Sequence, residues 1–291
     1  MSARNKNIDL FSIINTLIML FIVFITLYPM YNVFIVSISG MLPIARGEVV
    51  FLPKQINFNS YKLVLNHPDF LRSYFNTLKY TVSGVTIQII CTVMCAYPLS
   101  RPDFFGRRFF SFFILLTMFV SGGMIPMYLL IYRLKMLNTM WAIVLPPAVS
   151  TYNMLIMRTS FSGIPLSLTE SAYIDGANDV LILRKIILPL SKPVIAVMVL
   201  FYAVGHWNSF FPAMIYLRDN SKIPVQLMLR SILIQGNLDN ATSNTMLSEG
   251  ISIAVNFKYA MIIMTVVPIL CVYPFIQKYF TKGVMIGAVK G

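Results

Sequence analysis

Six long stretches of the chain lack Asp, Glu, Lys and Arg and are mostly apolar: 10–45, 80–100, 109–132, 136–157, 193–217 and 259–277. An α-helix rises about 1.5 Å per residue, so about 20 residues cross a bilayer core about 30 Å thick. A charge at the bilayer centre costs at least about 2.5–3.5 kcal/mol, so spanning segments shed ionisable side chains. The pattern predicts six transmembrane helices, near 11–38, 77–99, 109–131, 138–157, 193–216 and 259–279.

The composition also indicates a membrane protein. Charged residues make up 11% of the 291 residues and hydrophobic residues 57%, against about 25% and roughly 45–50% in soluble domains. Too little charge remains to cover a soluble surface, and the same numbers exclude a disordered chain. We therefore expect an all-α polytopic membrane protein, with 1–291 as one transmembrane domain. The first span follows Arg4 and Lys6 and is too long for a signal peptide, which predicts an uncleaved anchor.

The net charge of +13 is best explained by the membrane. With six spans both termini lie on one side, and the basic residues divide almost evenly between the two sides. Their density slightly favours cytoplasmic termini, and the loop 100–108, with three arginines, is the clearest local signal. We expect a multi-pass membrane protein with both termini in the cytoplasm. No basic stripe with interleaved aromatics lies outside the spans, so nucleic acid is not an expected partner.

The connection 158–192 is too long for a simple turn between two spans. Pro165 suits the first turn of a helix, and Gly176 suits a left-handed helix stop. Asn178 and Asp179 can cap a second short helix, and Pro189 and Pro193 end it before the fifth span. Asp175 can cap or brace the turn between the two helices. The pattern predicts a helix-turn-helix on the membrane surface.

The same connection meets the spacing E-A/S-A-x3-G-x9-I-x-L-P at Glu170, Ser171, Ala172, Gly176, Ile186, Leu188 and Pro189. This resembles the EAA loop of the membrane subunits of bacterial ABC importers, with Ser171 in place of the usual Ala. Asp175, Gly176 and Ala177 resemble the DGA form common in the carbohydrate-uptake branch. HWNSFFPA at 206–213 resembles the W-N-x-F/W patch of sugar permeases. The tail 278–291 resembles that of the maltose-type second permease, and the closest branch takes up complex oligosaccharides and polysaccharide fragments.

The resemblance implies the type I importer fold and a set of partners. These are a second homologous permease, a cytoplasmic ATPase dimer, an extracellular solute-binding protein, membrane lipid and an oligosaccharide substrate. The chain lacks a G-x4-G-K-S/T phosphate loop, so it cannot bind ATP phosphates in that way, and no cofactor is expected in this chain. ATP and Mg are expected in the partner ATPase, and the chain is expected to be a transport subunit rather than an enzyme.

The resemblance also implies roles for individual residues. The helix near 166–176 is expected to dock in the ATPase and move as a rigid lever, which opens the path outward. The residues implied in ATPase coupling are Glu170, Ser171, Ala172, Asp175, Gly176, Ala177, Ile186, Leu188 and Pro189. Three residues of the tail 280–291 are expected to contact the ATPase: Gly287, Lys290 and Gly291.

Polar and aromatic residues inside spans are candidates for the substrate path, because aromatic faces suit sugar rings and amides match hydroxyls. They are Tyr152, Asn153, His206, Trp207 and Asn208. An interfacial aromatic belt for Trp207 and a helix–helix hydrogen bond for Asn208 are equally open interpretations.

Other classes of protein fit the sequence less well. A permease for a non-sugar solute stays open. A stand-alone secondary transporter needs ionisable residues inside its spans, and the uncharged windows contain only His206. A membrane transferase or protease needs a cluster of catalytic side chains, and none is visible. Cys91 and Cys95 share one helical face, where buried small apolar residues are a better interpretation than a metal or redox pair.

Overall fold

The computed structural model describes residues 10–242 and 256–271, and every regular element in these ranges is helical. The α-helices, in chain order, are α1 (Leu10–Ser37), α2 (Met41–Ala45), α3 (Asn59–Asn66), α4 (Phe70–Ser100), α5 (Arg107–Phe119), α6 (Met124–Arg133), α7 (Trp141–Val144), α8 (Thr151–Ser162), α9 (Leu166–Ile174), α10 (Asp179–Ile182), α11 (Leu188–Leu190), α12 (Lys192–Trp207), α13 (Phe211–Tyr216), α14 (Val225–Thr242) and α15 (Asn256–Cys271). A π-helix, Leu183–Ile187, joins α10 to α11, and a 3-10 turn, Asn220–Lys222, precedes α14.

The chain divides into two compact units, the first comprising Met1–His67 and Leu229–Val266. In this unit α1 is apolar but buries only its last turn, where Ile35 and Val36 pack against Val49. The earlier turns of α1 expose their large apolar side chains, which suits a helix that faces lipid or another protein. Asn256 donates from Nδ2 to the Ser39 carbonyl at 3.0 Å, which ties the start of α15 to the end of α1.

The second unit comprises Pro68–Met228 and Val267–Gly291, and α4 is its central helix. α4 packs along both α8 and α12. The shared apolar core includes Ala96, Met154, Met157 and Met198, none of which is exposed. Cys91 and Cys95 on α4 are half-buried free thiols, and Cys95 packs against this core as an apolar residue.

Three of the six predicted spans are not continuous helices, and those predictions are wrong in that respect. The span 109–131 is α5 followed by α6, with a bend of 113° between them. Gly123 there has a φ of 82°, which a side chain would oppose. The span 138–157 is interrupted between α7 and α8, where Pro146 and Pro147 cannot donate backbone hydrogen bonds.

The span 193–216 is likewise interrupted, between α12 and α13. Within the part of the chain that the structure describes, two helices, α1 and α4, are individually long and apolar enough to cross a membrane, and up to four spans result if each sharply bent pair counts as one. α4 begins at Phe70, seven residues before the predicted start, and α15 begins at Asn256, while residues 272–279 lie outside the described residues. The number six therefore stays a prediction.

Candidate functional site

The connection 158–192 folds as the predicted helix-turn-helix. α9 starts after Pro165, and Gly176 ends it with a φ of 79°. The N–H of Ala177 donates to the Ala172 carbonyl at 2.9 Å, and the N–H of Gly176 donates to the Tyr173 carbonyl at 3.0 Å. This pair of bonds is the Schellman ending of a helix, which favours glycine at its left-handed position. Asn178 caps α10 by accepting the Leu181 N–H at 2.9 Å, as predicted.

The residues that carry the EAA resemblance divide between two faces of the connection. The inward residues are partly buried against the core of α4, α8 and α12: Ala172, Ala177, Ile186 and Leu188. The outward residues are exposed: Glu170, Ser171, Asp175, Gly176 and Pro189. One face therefore holds the connection on the helical bundle, and the other is available to a partner.

The outward face also exposes large apolar side chains. Leu168 and Ile174 on α9 and Val180 on α10 are all exposed, and Ile174 is 87% exposed. Exposed apolar groups beside a carboxylate such as Glu170 are typical of a protein–protein contact surface. We call this surface, formed by Leu168, Glu170, Ile174 and Val180, the outward face.

Asp179 joins the connection to the end of α4. Its Oδ1 accepts the hydroxyl of Tyr173 on α9 at 2.6 Å and the hydroxyl of Tyr97 on α4 at 3.1 Å. The hydrogen bond to Asp179 raises the pKa of Tyr173 from 10.0 to about 12. Because the folded pKa is raised, this contribution to stability is complete below pH 10 and is lost only as the pH rises toward 12. Tyr173 therefore donates throughout the physiological range.

Arg101 makes a second attachment between α4 and α9. Its Nη1 donates to the hydroxyl of Thr169 at 3.4 Å, and its guanidinium carbon lies 4.8 Å from the centre of the Tyr97 ring. Thr169 is the one buried residue of α9, at 3% exposure. We call the group of Tyr97, Arg101, Thr169, Tyr173 and Asp179 the α4 junction.

The sequence interpretation missed the α4 junction. It treated Asp179 only as a helix cap and assigned the bracing of the turn to Asp175. In the structure Asp175 is an exposed residue at the end of α9, and Asp179 makes the long-range bonds. Tyr97 and Asp179 are 82 positions apart, so no local pattern reveals their contact.

Helices α10 and α11, with the π-helix between them, form one rod that meets α12 at 82°. The sequence predicted that Pro189 and Pro193 end this rod; Pro189 lies inside α11, and the direction changes at Ser191, between the two prolines. π-helical turns are uncommon and often occur at functional sites. Here the π-helical turn lies inside the connection, between α10 and α11 and ahead of the fifth predicted span.

His206 is held between helices. A Cβ added at Gly84 of α4 would overlap the His206 ring, so the two helices approach closely there. Gln88 donates from Nε2 to the Pro147 carbonyl at 2.7 Å, and its Oε1 lies 3.1 Å from His206 Nε2. With the amide assigned in this way, Oε1 accepts and His206 Nε2 carries the hydrogen. Gln88 therefore provides a hydrogen-bond donor for the Pro147 carbonyl, which lies in the break between α7 and α8.

The other path candidates do not form one cluster with His206. Trp207 is buried and meets the ring of Tyr74 edge-on at 5.5 Å, whereas Asn208 is exposed at the end of α12. On α8, Tyr152 is exposed and Asn153 is buried, so adjacent residues point in different directions. The tail residues Gly287, Lys290 and Gly291 lie outside the described residues.

Comparison with known proteins gives consistent results. The profile of the family described as "Binding-protein-dependent transport system inner membrane component" matches residues 88–286. Protein LplC of Bacillus subtilis (strain 168) is 40% identical over 92% of this chain and 90% of its own length. The polygalacturonan/rhamnogalacturonan transport system permease protein YtcP of the same organism is 37% identical over 92% of this chain and 93% of its own length.

Among solved structures, a chain from a bacterial ABC transporter involved in the import of the acidic polysaccharide alginate superposes with a TM-score of 0.87. It is 36% identical, and the match covers 96% of this chain and 100% of that one. The comparisons confirm the resemblance stated from the sequence and the expectation of a transport component rather than an enzyme. The chain belongs to the family of binding-protein-dependent transport system inner membrane components.

Proposed function

We propose that this chain is one of the two membrane subunits of an ABC importer for oligosaccharides. In this proposal the chain is one permease domain that crosses the membrane six times, and the connection 158–192 is the coupling loop. A second permease, an ATPase dimer and an external solute-binding protein complete the importer, and ATP and Mg bind to the ATPase. Both termini and the coupling loop lie in the cytoplasm.

The observation that carries the proposal is the division of the connection 158–192 into two faces. The α4 junction fixes one side to the bundle through Asp179 and Arg101. The outward face leaves Glu170 and three apolar side chains exposed. A lever needs both properties, because a push on its free face reaches the membrane helices only if the other face is firmly attached.

An oligosaccharide is the substrate class that the similar proteins support. YtcP is named for polygalacturonan and rhamnogalacturonan transport, and the structurally similar chain belongs to an alginate importer. Both ligands are polymers of sugars, whereas no described residue of this chain by itself specifies a sugar. A non-sugar solute is the alternative, and it predicts that the cognate binding protein retains no saccharide.

Closure of the ATPase dimer would pull on the outward face through Glu170. The α4 junction would pass this movement to α4, and the rod of α10 and α11 would pass it to α12. α4 and α12 touch closely at Gly84 and His206, so the two helices would tilt together rather than slide. The result is alternating access by a rigid-body movement.

Reversal of the charge of Glu170 tests the proposal. Glu170→Lys should abolish uptake and prevent co-purification of the ATPase, while the amount of protein in the membrane is unchanged, because Glu170 is exposed. Arg108→Glu is the control, since it reverses the charge of another exposed residue on the same predicted side. Transport by the purified single chain, or normal uptake by the Glu170→Lys importer, would contradict the proposal.

A further inference from the structure

A pocket of about 540 Å³ lies between the end of α6 and the segment after α13. Its lining residues combine cations with a ring, an amide and an apolar side chain: Tyr132, Arg133, Lys135, Leu137, Asn138 and Arg218. We call it the basic pocket. Its volume falls within the range of about 300–1,000 Å³ that is usual for small-ligand sites.

The positive charge of the basic pocket is not neutralised by the described part of the chain. None of the ion pairs among the described residues involves Arg133, Lys135 or Arg218. Asp219 is adjacent in sequence, but its carboxylate accepts the Ser221 N–H at 2.9 Å and lies 3.7 Å from Lys222. Three exposed cations therefore surround one cavity, which favours an anionic ligand.

Asn138 fixes the geometry of the basic pocket. Its Oδ1 accepts the N–H groups of Arg218 and Asp219, both at 3.2 Å, and its carbonyl accepts Lys222 Nζ at 3.0 Å. The N–H of Asn138 donates to the Tyr216 carbonyl at 2.8 Å. These bonds tie two segments together before any ligand arrives, so little ordering of the backbone is needed on binding.

The basic pocket lies at the opposite end of α4 from the α4 junction. Near the pocket, the Tyr80 hydroxyl donates to the Lys222 carbonyl at 2.7 Å. At the junction, the Tyr97 hydroxyl donates to Asp179. Seventeen residues of helix separate Tyr80 from Tyr97, which is about 26 Å at 1.5 Å per residue. If the coupling loop is cytoplasmic, the basic pocket faces the side from which the solute arrives.

We propose that the basic pocket binds a carboxylate-bearing sugar, a uronate residue of an acidic oligosaccharide, as it enters the importer. This inference rests on the proposed function and names its substrate class more closely. Guanidinium and ammonium groups bind carboxylates, with Arg able to use two parallel hydrogen bonds. Tyr132 exposes 61% of its surface beside them, which offers an aromatic face to the C–H groups of a sugar ring.

The shape of the pocket favours a sugar over an acidic patch of the solute-binding protein. A stable protein–protein interface needs about 800 Å² from each partner and is broad. The cations here surround a cavity of ligand size, and the aromatic ring and the Asn138 amide lie on its wall. Such a wall matches the ring and the hydroxyl groups of a sugar as well as its carboxylate.

The test compares trigalacturonate with its fully methyl-esterified form, in which the same sugar is neutral. The complete importer, in nanodiscs of zwitterionic lipid and without binding protein, is titrated with each compound by saturation-transfer NMR. We expect the acid to bind more tightly than the ester. The double substitution Lys135→Gln with Arg218→Gln should weaken binding of the acid about tenfold and leave binding of the ester unchanged. Lys79→Gln, an exposed lysine of α4 outside the pocket, is the control.

Three results would overturn the inference. The ester could bind as tightly as the acid, or Lys79→Gln could weaken binding as much as the pocket variant. In the third, the pocket variant leaves trigalacturonate binding unchanged but slows association of the solute-binding protein, which assigns the pocket to protein docking. The proposed function fails separately, through normal uptake by the Glu170→Lys importer, and that result leaves the affinity for trigalacturonate unaffected.

Discussion

Asp179 offers a quantitative test of the attachment between the connection 158–192 and α4. Asp179→Ala removes the acceptor of two hydroxyls at once. The Tyr173 bond is short and charge-assisted, but Tyr173 is 45% exposed, so its loss is expected to cost about 1 kcal/mol. Tyr97 is buried, and a buried hydroxyl left without an acceptor costs about 1–3 kcal/mol. The α4 junction should therefore lose about 2–4 kcal/mol.

Asp179→Asn separates the charge from the hydrogen bonds. The asparagine keeps a carbonyl oxygen that can accept, so we expect half of the loss, about 1–2 kcal/mol. Asp175→Ala is the matched control, because it removes an exposed carboxylate four residues away that does not join α4. The thermal stability of the purified importer should fall in the order wild type, Asp179→Asn, Asp179→Ala, with Asp175→Ala equal to wild type.

The functional assay measures substrate uptake and ATP hydrolysis together in proteoliposomes. A loosened junction should let the ATPase close without moving α4, so Asp179→Ala should transport several-fold less substrate for each ATP hydrolysed. The ratio should be restored in part by Asp179→Asn. Equal effects of Asp175→Ala and Asp179→Ala on stability, or an unchanged ratio in Asp179→Ala, would refute this account of the junction.

Two glycines give further predictions, each with a matched control. Gly176→Ala should cost about 1–2 kcal/mol, because Gly176 has a φ of 79° although its surroundings are open; Gly163→Ala, at a φ of −79°, should be nearly neutral in the same thermal unfolding assay. Gly84→Ala should destabilise the importer by about 1–3 kcal/mol through its clash with His206. Gly205→Ala faces open space and should have little effect, and equal melting temperatures for either pair would contradict the reasoning.

The sequence was sufficient for features that depend on neighbouring residues. The left-handed position of Gly176 and the cap at Asn178 follow from rules that span three or four residues, and both are present in the structure. Uncharged windows indicate which segments lie deep in the bilayer, because a charged side chain is costly there. They do not require a continuous helix, so the break at Pro146 and the bend at Gly123 were not predicted.

Contacts between distant residues could not be predicted from one sequence. His206 was singled out as a polar side chain inside a predicted span, yet its partner Gln88 is 118 positions away. Gln88 was itself a visible signal, since a polar amide inside an apolar window needs a hydrogen-bond partner. Which partner it finds depends on helix packing, and the same holds for Asp179 with Tyr97.

The division of the connection 158–192 into two faces makes the loop suitable for grafting. Substitutions at Leu168, Glu170, Ile174 and Val180 change groups that the bundle does not use for packing. Residues such as Ala172 and Ile182, which pack in the core of the bundle, can be left unchanged. The loop then keeps its packing against α4, whichever side chains its outward face carries. A chimera that exchanges only the four outward side chains should thus accept the ATPase of a related importer, whereas exchange of the whole loop would also disturb the bundle.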